Sequence, residues 1–151
     1  INTDKPRTVV IRTGVVLANN SDFWKQVLMP FKFGIAVVLV DGKQYIPWIH
    51  SEDEVNAILF LLENDNCQGI YNLSAPLSAR FSEIVESIKS KKKTLFTLHL
   101  SKYLLSLLFG KEKTEELILV NQHVSPQRLM EEGFQFKFHD IQSAVSWLLK
   151  K

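Results

Sequence analysis

A single cysteine, Cys67, stands in 151 residues, which excludes an internal disulfide and a cysteine-based zinc cluster and agrees with a reducing compartment. Long apolar runs are missing as well. Tyr103 to Phe109 is typical of the longest, far below the roughly 18 residues that span a bilayer, and no cleavable signal pattern opens the chain. The protein is therefore expected to be cytoplasmic, with no membrane partner. Charge of one sign is scarce: 18 Lys and Arg against 16 Asp and Glu leave a net +2, too little to imply a nucleic-acid partner. The basic knot at Lys89 to Lys93 has no interleaved aromatic residue on which a base stacks and reads as a solvated loop.

Glycine is sparse and nowhere arranged as G-x-G-x-x-G or G-x-x-x-x-G-K-[ST], so the chain has no phosphate cradle of its own. No serine sits in a G-x-S-x-G elbow. A Tyr-x-x-x-Lys pair is lacking too, since Tyr45, Tyr71 and Tyr103 are followed at that spacing by Ile49, Ala75 and Leu107. His99 and His123 show no metal-ligand spacing, so no metal is expected. No residue qualifies as catalytic on these grounds. An initiator methionine is also absent, and a chain opening on Ile1 is expected to be a piece of a longer product.

What is present is the composition of a globular domain, 46% hydrophobic and 23% charged, with enough chain to bury a core. Thr8 to Leu17, TVVIRTGVVL, is a nearly continuous β-branched run and reads as one strand buried on both faces of a parallel sheet. A short helix is expected over Phe23 to Leu28, then irregular, partly extended chain around Pro30 and Gly34. Val55, Ile58, Leu59 and Leu62 form an i, i+3, i+4, i+7 stripe and predict an amphipathic helix with that face buried. A strand, GIYNLS, follows. A second helix is predicted with Ser78 as cap and Phe81, Ile84, Val85 and Ile88 as its buried face. Thr94 to Leu98 reads as a further extended piece. Helices are predicted after Ser101, over Thr114 to Leu119, after Ser125-Pro126 and after Asp140, the last burying Ile141, Ala144, Val145 and Leu148. FQFKF alternates Phe134, Phe136 and Phe138 as a one-sided strand does. The alternation of strand and helix indicates an α/β class.

The stretch QYIPWIHSEDE places Trp48 and His50 before three carboxylates. Ser51 and Glu54 have the S-x-x-E spacing of a capping box, and Glu52 and Asp53 in the first turn interact favourably with the helix dipole by about 0.3–1 kcal/mol each. Those carboxylates thus have a structural purpose without chemistry. His50 is either structural, bonding a carbonyl or packing on Trp48, or an acid/base group.

Five motifs, RTGVVL (Arg12 to Leu17), MPFKFG (Met29 to Gly34), GKQYIPWIH (Gly42 to His50), IYNLSAP (Ile70 to Pro76) and VSPQRLMEEGFQFKF (Val124 to Phe138), together resemble one family in order and spacing. It is the sugar-nucleotide-epimerase-like branch of the extended short-chain dehydrogenases/reductases, the NAD-dependent epimerase/dehydratase superfamily. The resemblance covers almost the whole chain but only the second half of a family member. It implies the C-terminal part of a Rossmann-like sheet over residues 1–97, with substrate lobe, and a small, mostly helical C-terminal domain of unknown function over residues 98–151.

The resemblance implies further that Thr13, Gly14, Val15 and Val16 pass the nicotinamide end of the cofactor, glycine permitting close approach, although Gly14 equally suits a tight bend. Gln44, Trp48 and His50 become substrate-side candidates, with packing of the inter-domain core the favoured role for Trp48. NADP or NAD is expected in the full-length protein and none on this chain alone. The implied partners are the missing N-terminal Rossmann half, a small carbonyl or sugar-like substrate and, for the whole protein, a second copy in a homodimer.

Three departures put activity in question: GIAVVLVDG where the family is glycine-rich, Ala18-Asn19-Asn20-Ser21 where it continues with glycines, and His123 where an arginine commonly precedes V-x-P. The alternative is a non-catalytic interaction or scaffold domain using the apolar helices around Tyr103 to Leu119. A weaker third reading is nucleic-acid binding through Lys89 to Lys93.

Overall fold

The computed structural model describes residues 7–109, 111–112 and 122–150. In chain order it contains β1 (Val9–Thr13), β2 (Val15–Leu17), α1 (Asp22–Leu28), a 3-10 turn (Pro30–Phe33), β3 (Ile35–Leu39), β4 (Tyr45–Ile46), β5 (Trp48–His50) and α2 (Ser51–Glu63). Then follow β6 (Gly69–Leu73), β7 (Ala79–Arg80), α3 (Phe81–Lys89), β8 (Phe96–Leu100), α4 (Lys102–Phe109), α5 (Gln127–Glu131) and α6 (Ile141–Leu148). The class is mixed α/β with parallel pairings, as the strand and helix alternation indicates.

The β-branched run that reads as one strand is two strands, because the chain changes partner at Gly14. β1 lies parallel to β6, with Val9 opposite Gly69 and Thr13 opposite Leu73. β2 lies parallel to β5, with Val15 opposite Trp48. The Gly14 amide donates to the Leu73 carbonyl at 3.0 Å and the Val15 amide to the Pro47 carbonyl at 2.6 Å, so the hand-over is completed within two residues. A Cβ on residue 14 would stand 2.5 Å from the Pro47 oxygen. Backbone cannot swing aside, so only glycine fits.

β1 is not buried on both faces. Val10 is 45% and Ile11 37% exposed, and among the described residues only β6 pairs with it. A sequence suited to a central strand therefore lies at an open edge.

The stretch from Pro30 to Ile46 is more regular than expected: β3 runs parallel to β8, Ile35 opposite Phe96, and β4 pairs antiparallel with β7, Tyr45 opposite Arg80. Consecutive residues of β5 feed opposite cores, as the period of two requires. Trp48 joins Leu17, Trp24, α3 and α6, whereas Ile49 joins Leu61, Tyr71, Leu129, Phe134 and Phe136.

α2 forms where predicted but rotated. Asp53, Ala57 and Leu61 are its buried line, while Val55, Leu59 and Leu62 of the expected stripe are exposed. Its cap also differs: His50, not Ser51, is the N-cap, its Nδ1 accepting the Glu52 amide at 3.2 Å. At the other end the Arg7 guanidinium donates to the carbonyls of Leu61, Leu62, Asn64 and Cys67 at 2.8–3.0 Å, satisfying acceptors that a helix C-terminus leaves open.

α3 and α6 bury the faces read from the sequence. Arg80 rather than Ser78 is the N-cap of α3, its amide donating to Glu83 Oε2 at 2.6 Å. Asp140 caps α6 through the Ser143 amide at 2.8 Å, and Ser101 accepts the Leu104 amide at 3.3 Å ahead of α4. Pro126, not Ser125, is the N-cap of α5, with no side-chain cap bond. The expected helix at Thr114 to Leu119 lies outside the described residues. FQFKF buries Phe134, Phe136 and Phe138 as its alternation requires but forms no ladder. The Lys137 and Phe138 amides donate instead to Asp53 Oδ1 and Oδ2, at 2.8 and 2.9 Å. Among the described residues no helix is long and apolar enough to cross a membrane.

Candidate functional site

Thr13, at the carboxyl end of β1, is exposed, and Gly14, Val15 and Val16 are half-buried beside it. The neighbouring end of β6 is closed by chain from the C-terminal region: the Ser74 hydroxyl donates to the Val124 carbonyl at 3.0 Å and Asn72 Nδ2 to the Ser125 carbonyl at 3.2 Å. Ala75 N–H reaches the Trp48 carbonyl at 2.6 Å. The segment implied to pass a nicotinamide thus meets the GKQYIPWIH segment directly, at Pro47 and Trp48. In open parallel sheets, ligands bind outside such carboxyl ends.

The substrate-side candidates lie just below this surface. Gln44 is 8%, Trp48 1% and His50 2% exposed. Gln44 Nε2 points at the Leu39 carbonyl at 3.4 Å, and Trp48 Nε1 donates to the Leu77 carbonyl at 3.1 Å. His50 Nδ1 spends its lone pair on the Glu52 amide, and the ring stacks on Phe138 with centroids 3.9 Å apart. A lone pair accepting a backbone amide is not free to take a substrate proton, so the geometry suits His50 to positioning. Asp53 beside it is likewise occupied by the two amides of the Phe136 to Phe138 segment.

Two clusters were not singled out from the sequence. Tyr71 donates to Glu132 Oε1 at 2.9 Å, and the Arg128 guanidinium lies 4.5 Å from its ring centroid while donating to the Ile70 and Gln68 carbonyls. Burial, assisted by the bond to Glu132, pushes the Tyr71 hydroxyl up to about 12, so it ties α5 to β6 as a neutral donor. Nearer the strand ends, the Tyr45 ring carries His123 at 4.0 Å between centroids and the Arg80 guanidinium at 5.2 Å. Alternation would have placed Tyr45 and Arg80 on two short strands, but nothing local registers those strands or brings His123 to them. No group of three potential metal ligands occurs among the described residues.

Residues 101–148 match a domain of unknown function (DUF1731). The chain is 30% identical to the human epimerase family protein SDR39U1 over 142 residues, 94% of this chain and 48% of that protein. It is 31% identical over 148 residues to an epimerase family protein of Staphylococcus aureus strain N315, covering 96% of this chain and 48% of the relative. The crystal structure of the human protein with NADPH superposes with a TM-score of 0.85 at 27% identity, over 95% of this chain and 48% of that one. A nucleoside-diphosphate sugar epimerase from Corynebacterium glutamicum shares the fold, with a TM-score of 0.70 at 21% identity over 95% of this chain and 26% of the other. The chain spans about half the length of these curated relatives. In sequence and fold it is similar to the C-terminal half of these epimerase family proteins.

Proposed function

We propose that the chain completes the Rossmann sheet of an NADP-dependent or NAD-dependent nucleoside-diphosphate-sugar epimerase/reductase-like protein and supplies its substrate-side lobe. In this reading residues 1–97 are the end of the dinucleotide-binding domain and residues 98–151 a small domain braced against it. The observation that carries the reading is the open edge of β1: a β-branched strand, paired on one side only among the described residues, beside a groove lined by Val9, Ile11, Ile58, Leu61 and Leu62. A parallel strand and its helix from the glycine-rich half satisfy both.

The cofactor, when bound, supplies hydride chemistry, and this chain offers one side of its site. The Gly14 and Val15 amides are already bonded to Leu73 and Pro47. Thr13 to Val16 therefore meet a nicotinamide through the exposed Thr13 and the shape of the turn. Gln44, Trp48 and His50 support the substrate wall from behind. The test joins this chain to a glycine-rich Rossmann half and titrates both forms with NADPH. About micromolar binding is expected for the joined protein and none for the chain alone; tight binding by the chain alone overturns the reading.

A second reading, an interaction domain without catalysis, is favoured by α4, where Tyr103 is 79% and Leu107 71% exposed. Such a face suits a protein interface. If the joined protein ignores NADPH while Tyr103→Ser with Leu107→Ser abolishes its self-association in sedimentation, this second reading replaces the first.

A further inference from the structure

Lys89 to Lys93 reads from the sequence as a solvated loop, but in the structure two of these lysines meet a third from the end of α6. The two helices concerned share one core, Ile84, Val85 and Ile88 of α3 packing with Ile141, Ala144, Val145 and Leu148 of α6. Both start on the same side of the molecule. The Phe81 amide donates to the Gln44 carbonyl at 3.0 Å and the Leu77 amide to the His139 carbonyl at 3.2 Å, while Trp48 Nε1 donates to the Leu77 carbonyl. The helices therefore run in the same direction and end together, with the end of α3 about 12 Å from Gln44 by the helical rise. Between the two C-terminal ends lies a cavity of about 170 Å³ lined by Lys91, Lys92, Ser146, Leu149 and Lys150.

Lysines near a helix C-terminus ordinarily cap its open carbonyls or offset its dipole. Neither role accounts for three of them here. The carbonyls of Glu86, Ser87 and Ile88 already accept the Ser90 amide, the Ser90 hydroxyl and the Lys91 and Lys92 amides, at 2.7–3.0 Å. Those of Val145 and Trp147 accept the Leu149 and Lys150 amides. Two helix ends together oppose at most about one unit of positive charge, against three ammonium groups. Carboxylates do not make up the difference. The sequence has no Asp or Glu from Ser87 to Lys111 or from Ile141 to Lys151, and Glu86 is paired with Lys89 at 2.7 Å. Among the described residues, Lys91, Lys92 and Lys150 have no ion pair and no side-chain hydrogen bond.

An ammonium on a flexible stem is a point charge with three donors, so a cavity built from three of them selects charge density rather than shape. Ser146 adds a hydroxyl that has no hydrogen bond to another described residue. The volume equals that of about five water molecules in the liquid and falls below the roughly 300 Å³ at which pockets for drug-sized ligands begin. No aromatic side chain among the described residues lines it, so a nucleobase has nothing to stack on. We propose that Lys91, Lys92 and Lys150, with Ser146, form a binding site for a compact multivalent oxyanion of the pyrophosphate class. The site lies wholly on this chain, at the opposite end of α3 from Gln44, and does not depend on the proposed completion of the sheet.

The test titrates the 151-residue chain by calorimetry at low ionic strength with phosphate, pyrophosphate, tripolyphosphate and a short single-stranded oligonucleotide. The series is repeated on Lys92→Gln, on Lys150→Gln and, as a control, on Lys43→Gln, whose ammonium pairs with Asp41 elsewhere. Affinity is expected to rise with the charge of the inorganic anion, pyrophosphate binding at about millimolar or tighter. Lys92→Gln and Lys150→Gln should each weaken it about two- to fivefold, the range for exposed ion pairs, and Lys43→Gln should leave it unchanged. Pyrophosphate that fails to bind, that binds the two pocket variants as tightly as the parent, or that is weakened equally by Lys43→Gln overturns the proposal. An oligonucleotide that binds with the lysine dependence while pyrophosphate does not also overturns it, in favour of a nucleic-acid face. Lys92 and Lys150 stand on different segments, so one variant still reports on the site should the other fold poorly.

Discussion

Val40 has a φ of 53°, in the left-handed region where a β-branched side chain clashes with its own backbone. The residue stands in GIAVVLVDG, the segment read from the sequence as a departure from the family it resembles. The next glycine, Gly42, has a φ of 69° and a virtual Cβ 2.8 Å from both Ser82 and Val38, so the turn needs two left-handed positions and has glycine at one. Val40→Gly is expected to raise unfolding free energy by about 1 kcal/mol, relieved strain outweighing added chain entropy. A denaturant midpoint that falls instead contradicts the strain. Tyr71 gives a second prediction. Its folded pKa of about 12 lies above the ordinary value of about 10, so the folded state holds this proton more tightly. The resulting stabilisation is complete below about pH 10 and is lost as pH rises toward 12. Tyr71→Phe should flatten the decline in that window, and absorbance of tyrosinate at 295 nm should show one late-titrating group in the parent only.

At the scale of elements, α2 shows what a sequence reveals and what it hides. Its existence follows from periodicity, and it is present. Its rotation does not follow, because the competing stripe of Val55, Leu59 and Leu62 is as apolar as any core face and only the elements packed on α2 tell the two apart. Its cap is hidden too: Ser51 has the preferred chemistry, yet His50 caps because its ring is fixed on Phe138, some ninety positions away in the chain. FQFKF fails as a strand for the same reason, its amides being taken by Asp53. By contrast α6 was legible in full, since Asp140 and its stripe are local. Among the candidate residues, the close approach at Gly14 is legible because it is local, whereas the meeting of Tyr45, Arg80 and His123 depends on register between distant segments. Asp53 gives the test at this scale. Asp53→Ala orphans the buried Phe138 amide and the part-buried Lys137 amide and should cost about 2–4 kcal/mol. Asp53→Asn, with one carbonyl oxygen left to accept, should cost less. Equal stability of all three proteins in urea would show that the clamp contributes nothing.

For the whole molecule, the exposed apolar surface is divided in a way that predicts how the chain behaves. Val10 and Ile11 on the open edge, and Val55, Leu59 and Leu62 on α2, are each more than a third exposed. Together they line the open edge of a strand paired on its other side with β6, beside an exposed apolar helix face. Edges of this kind pair with whatever strand is available, and large apolar patches associate. The chain alone is therefore expected to self-associate with rising concentration in sedimentation velocity, and joining it to a glycine-rich half should suppress this. Ile11→Lys and Leu62→Lys separate the edge from the fold. Both side chains are partly solvated already, so each substitution should change the unfolding free energy of the isolated chain by roughly 1 kcal/mol or less. In the joined protein the same substitutions place an ammonium at an apolar contact and should weaken the union of the two halves strongly. Variants that leave both self-association and the union untouched would mean that β1 is a finished edge, and that the exposed valine and isoleucine side chains have no partner to meet.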